Sequence, residues 1–144
     1  KIESLRTSYL RCQENGNLAD EFFTIFPKSH PVITLLFIER NIEKQKRAFE
    51  QGMEYILSFE QKYDKAMLAI SSFHQKLSPN GKSMIMSIYL KHWKQSFVKA
   101  IAHLDPKFND ELETNWNKVL QFIINYLNND NTKESEEVAV ELRA

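Results

Sequence analysis

The chain has 144 residues, enough for one ordinary domain, and its 19 basic residues balance 19 acidic ones, so no net field steers it toward nucleic acid or an anionic membrane surface. A single cysteine, Cys12, excludes an internal disulfide and a thiolate-held metal cluster, and a reducing, cytoplasmic compartment is expected. Three glycines and four prolines are too few for a sheet built on tight turns, so the chain reads as all-α. No apolar run approaches the roughly 18 residues of a membrane span, and the opening KIESLRTSYL lacks the apolar core of a signal peptide. The first residue is Lys rather than Met, as in a piece of a longer protein.

The pattern predicts a first helix over Ile2 to Gln13, with Ile2, Leu5 and Tyr9 on one side, ended by the polar run Glu14–Asn17. A second helix starts at Leu18 and carries Leu18, Phe22, Ile25 and Phe26 at helical spacing until Pro27 disturbs it. Ser29 and Pro31 then open a short helix ending in Leu35, Leu36 and Phe37. A long helix follows from about Arg40 to Gln61, with Ile42, Gln45, Phe49, Met53, Ile56 and Phe59 in one stripe. Gln45 breaks that apolar row: it is either a buried amide that needs partners or a helix-edge residue reaching solvent.

The stretch KAMLAISSFH puts Met67, Ile70 and Leu77 on the face that carries His74. An imidazole on such a face is either a core histidine or a ligand. Two long amphipathic helices complete the domain. One carries Ile85, Tyr89, His92, Trp93, Phe97, Ala100 and Leu104; the other carries Phe108, Leu112, Trp116, Val119, Leu120, Ile123 and Leu127, with Asp105 and Pro106 as its expected start signal. Residues 1–128 form the expected domain, and 129–144 a polar tail or the start of a linker. Tyr89, Trp93 and Trp116 read as core aromatics, Cys12 as a small apolar residue, and Lys44, Lys46 and Arg47 as a solvated face. His30, His92 and His103 show no partners in the sequence pattern, although a helix C-terminus favours a cation at His103.

Several of these segments, in order, resemble the globin family. FFTIFPKSHPVITLLF, Phe22 to Phe37, is similar in spacing to single-domain bacterial globins and the haem domain of flavohaemoglobins, with Pro31 at the start of the short third helix and Phe37 at the phenylalanine that wedges against haem. IEKQKRAFEQGM resembles the distal helix, with Gln45 at the distal polar position and Phe49 and Met53 facing the haem. AISSFH resembles the proximal segment, with His74 at the iron-ligand position and Ile70 one turn earlier, and Tyr89 matches a tyrosine of the penultimate helix. The resemblance spans roughly residues 3 to 127.

What it implies is a globin fold of about six or seven helices, three over three, around one haem b. His74 would hold the iron, with the opposite face open to O2, CO or NO. Phe22 or Phe23 would complete the distal pocket with Gln45 and Phe49, and the Gln45 amide would donate to bound O2. Two departures lower the expectation of turnover. Bacterial globins that dispose of nitric oxide carry a distal tyrosine where this chain has Phe22 and Phe23, and the acidic partner of their proximal relay falls near Asn131. There is also no flavin or nicotinamide domain to return electrons. The expected function is therefore reversible gas binding, as a carrier, a store or a sensing domain, with a homodimer or an attached signalling domain compatible. The alternatives are a haem-free globin-like interaction module and a nitric oxide dioxygenase.

Overall fold

The computed structural model describes residues 2–57 and 84–127, and these are all-helical, with no strand among them. Helix α1 (Ile2–Glu14) is followed by α2 (Leu18–Ile25), a 3-10 turn (Phe26–Lys28), α3 (Pro31–Phe37) and α4 (Ile42–Leu57). After residues outside this description come α5 (Met84–Leu104) and α6 (Asp110–Leu127). No described helix is long and apolar enough to cross a membrane.

Each boundary has a local cause. Asn17 begins α2 by accepting the Asp20 N–H at 3.0 Å through Oδ1. Pro27, inside the 3-10 turn, has no N–H to continue the α ladder and ends α2. Ser29 does not cap α3: its hydroxyl donates back to the Phe26 carbonyl at 2.7 Å, and the cap is His30, whose Nδ1 accepts the Val32 N–H at 3.1 Å. Asn41 caps α4 through Lys44 N–H at 3.2 Å, so that helix begins at Ile42 and not at Arg40.

Helix α2 sits among α1, α4 and α5, and α5 also packs on α1, α3 and α6. The core is strongly aromatic. Phe22, Phe26, Phe97 and Trp116 are fully buried, with Leu5, Leu18, Ile33, Met53, Ile101 and Leu120 around them. At the α1–α2 bend, Gly16 lies so close to Leu104 that a Cβ there would stand 2.9 Å from the leucine Cδ2. Cys12 is buried between α1 and α5, its Sγ 3.9 Å from the Ile101 carbonyl, and desolvation pushes its thiol up to about 12.

Asp105 does not start the last helix. That task falls to Asn109, which accepts the Leu112 N–H at 2.8 Å, with Asp110, Glu111 and Glu113 filling the first turn. The Asp105 carboxylate is instead fully buried, and four donors surround it. Arg11 donates Nε to Oδ1 at 2.6 Å and Nη2 to Oδ2 at 2.9 Å, Ser8 Oγ donates to Oδ2 at 2.6 Å, and the Lys107 N–H reaches Oδ1 at 2.9 Å. Trp116 Nε1 donates to Ser8 Oγ at 3.2 Å, which draws α6 into the same network.

Desolvation pushes the Asp105 carboxyl up, but hydrogen bonds from Arg11, Ser8 and Lys107 outweigh it and hold it below the ordinary 3.8. A folded value below the unfolded one stabilises the fold above about pH 4, and that contribution is lost as pH falls through the folded value. Replacing Asp105 by Ala is expected to cost about 2–4 kcal/mol in urea unfolding at pH 7, because Arg11 and Ser8 lose their acceptor. The deficit should shrink below pH 4, where the parent loses the same contribution; an equal deficit at pH 7 and pH 3 would contradict this account.

Candidate functional site

Three rings from three helices converge beside the core. Phe23 of α2 meets Phe37 of α3 edge to face at 5.9 Å between centroids and Phe49 of α4 at 6.0 Å. Behind them Phe22 stacks on Phe49 at 4.8 Å and touches Phe26 at 5.0 Å. Adjacent residues on a helix point about 100° apart, and here that separates their roles. Phe22 is fully buried in the core, and Phe23 stays half-buried at the rim.

The α4 stripe supplies the rest of this wall. Phe49 is half-buried; Met53 and Ile56, one and two turns later, are buried. Gln45, one turn before Phe49, is also half-buried, and its side-chain amide has no hydrogen-bond partner among the described residues. Its neighbour Lys46 is drawn away from the wall: its ammonium pairs with Asp20 at 3.0 Å and Glu43 at 3.4 Å, clamping α4 to α2.

Tyr89 of α5 closes the wall from behind. It is buried, edge to face on Phe26 at 5.0 Å, and Phe26 in turn meets Phe37 at 5.5 Å. Desolvation raises the Tyr89 phenol well above its ordinary 10.0, and the positive charge of Arg40 opposes the rise. Its hydroxyl has no hydrogen-bond partner among the described residues. The Arg40 guanidinium lies 5.8 Å from the Phe37 ring centroid. The sequence pattern marked Arg40 only as a helix start, although its place three residues after Phe37 at a helix end is the spacing that puts a cation over that ring.

Ile70 and His74 lie outside the described residues. The other three histidines are engaged elsewhere: His30 with Val32 and beside His92, and His103 with Glu21, its Nδ1 2.9 Å from Oε1. Among the described residues no three His, Cys, Asp or Glu side chains gather as a metal site. A hollow of about 520 Å³ opens at the end of α3, lined by Leu35, Leu36, Ile38, Glu39 and Arg40, but Gln45, Phe49 and Met53 do not line it.

The described residues thus set aromatic rings, a buried thioether, a half-buried amide and a buried phenol on neighbouring helices. Comparison with protein-family models, with curated proteins and with solved structures gives no match.

The two phenylalanines should respond differently to truncation. Phe22→Ala opens a core cavity and is expected to cost about 3–5 kcal/mol, against about 1–2 kcal/mol for Phe23→Ala at the rim. Denaturant unfolding of both variants checks the order; a larger loss for Phe23 would reverse the assignment of the two faces.

Proposed function

We propose that the protein is a globin-type haem protein that binds a diatomic gas reversibly, as carrier or sensor. The observation that carries this reading is the convergence of Phe23, Phe37 and Phe49, with Gln45 one turn along the same helix face. Segments distant in sequence bring these three rings together, which supports the distal wall that the family resemblance implies. Haem b would supply an iron centre, held by His74, that takes the gas.

The residues around that centre have separable tasks. Phe37, Phe49 and Met53 offer apolar surface to a macrocycle, and burying such surface is the main source of affinity for it. Gln45 offers a neutral N–H donor, which favours a ligand that gathers negative charge on its outer atom over one that does not. Phe23 adds bulk and no donor. Arg40 brings positive charge to the edge of the wall, where it would suit a carboxylate of the bound group. Tyr89 holds a phenolic proton in a dry place, and its raised pKa keeps that proton on at neutral pH.

The test is the visible spectrum of the purified protein loaded with haem, reduced, and then exposed to CO, beside His74→Ala. A Soret band that shifts with CO in the parent and is lost or altered in the variant is the expected result. Failure to retain haem would overturn the reading and turn attention to a haem-free interaction module. With haem retained, Gln45→Leu should speed O2 release about fivefold to tenfold, the equivalent of one hydrogen bond, and leave CO release nearly unchanged. Stopped-flow ligand replacement measures both rates.

A further inference from the structure

His30 and His92 meet at the start of α3, with ring centroids 5.0 Å apart and planes tilted by 46°. His30 occupies the cap position with extended backbone, φ −162 and ψ 144. Its carbonyl accepts the Thr34 N–H at 3.0 Å, while its Nδ1 accepts the Val32 N–H at 3.1 Å. Pro31 has no N–H, so Val32 is the first donor that the helix presents, and the imidazole satisfies it.

That cap exists in one protonation state only. A neutral imidazole can keep a lone pair on Nδ1; an imidazolium carries hydrogen on both nitrogens and donates from each. A proton on His30 therefore breaks the bond to Val32 and sets a positive charge against the positive end of the helix. Among the described residues no salt bridge relieves that charge. His92 faces it from α5, where Lys91 and Lys99 bear on His92, Lys28 precedes it in the 3-10 turn, and α3 has no ionisable residue. No described carboxylate forms an ion pair with either ring. Desolvation, then the charges of His30, Lys91 and Lys99, hold His92 below the ordinary 6.5.

We propose that His30 and His92 form a proton-operated latch on α3: with both rings neutral His30 closes the first turn, and acid opens it, loosening the helix that plants Ile33 and Phe37 in the core. The latch goes beyond the haem reading and holds whether or not a cofactor is bound. Its sign follows from the hydrogen bond: only a neutral His30 ring can accept the Val32 N–H, and the His92 ring lies beside it. The closed state is favoured above the ordinary imidazole range and is lost as pH falls through it.

Amide hydrogen exchange by NMR on the full chain, from pH 8 down to pH 5, tests the latch. Protection factors for Val32 to Phe37 are expected to fall by about fivefold or more, the worth of one lost cap, while those of Ile101 and Val119 hold. In His30→Asn, whose Oδ1 can cap without titrating, protection of α3 should stay flat across that range. His92→Gln removes the second proton taken up on opening, so the loss should be shallower. Three results would overturn the proposal: constant protection of α3 in the parent, a pH-dependent loss that persists in His30→Asn, or a loss shared equally by Ile101 and Val119.

Discussion

A buried carboxylate governs how the helices of this protein come together. Asp105 stands in the corner between α5 and α6, and the groups that satisfy it come from α1, through Ser8 and Arg11, and from the corner itself, through the Lys107 N–H. A charge taken out of water must be met on nearly every lone pair, and few arrangements of three helices can do that at once. The network therefore acts on geometry more than on net stability. It leaves α1 one register against the α5–α6 corner, and Trp116, donating to Ser8, carries that register into the centre of the core.

From that corner the aromatic core extends in one direction: Trp116 touches Phe97, Phe97 touches Phe49 and Phe22, and Phe22 leads to Phe26 and on to Tyr89. Rings packed edge to face and offset leave little freedom to slide. The wall formed by Phe23, Phe37 and Phe49 is thus the outer layer of a stack fixed at its far end by a salt bridge. Rings on such a support are held by packing; the Tyr89 phenol lies against them with the Arg40 charge bearing on it, and Gln45 lies next to Lys46, which is paired with Asp20 and Glu43.

Much of the helical order could be read in advance. Pro31 to Phe37 is a helix with the predicted bounds because a proline at the first position and an apolar run leave few alternatives, and α2 ends where Pro27 forbids its continuation. The misreadings share one cause. An Asp–Pro pair in a turn looks the same whether its carboxylate caps a helix or meets an arginine 94 residues away. Ser29 and His30 are both able to cap, and only the path of the backbone selects between them. Helical spacing puts Phe22 on the stripe with Leu18, Ile25 and Phe26, and it is the buried one; the family resemblance alone leaves Phe22 and Phe23 as alternatives. The convergence of Phe23, Phe37 and Phe49 has no local signature, because no local rule joins three rings on three helices. Arg40 over Phe37, and His30 beside His92, are tertiary meetings with no local signature.

The position of Cys12 has a practical consequence. Its sulfur is fully buried between two helices, and with the thiol pushed up to about 12 almost no thiolate exists at neutral pH. Aerobic storage should not cross-link the folded protein, and a thiol reagent should reach the sulfur only when α1 parts from α5. Labelling kinetics would then clock the opening of the helix pair that the buried carboxylate holds shut.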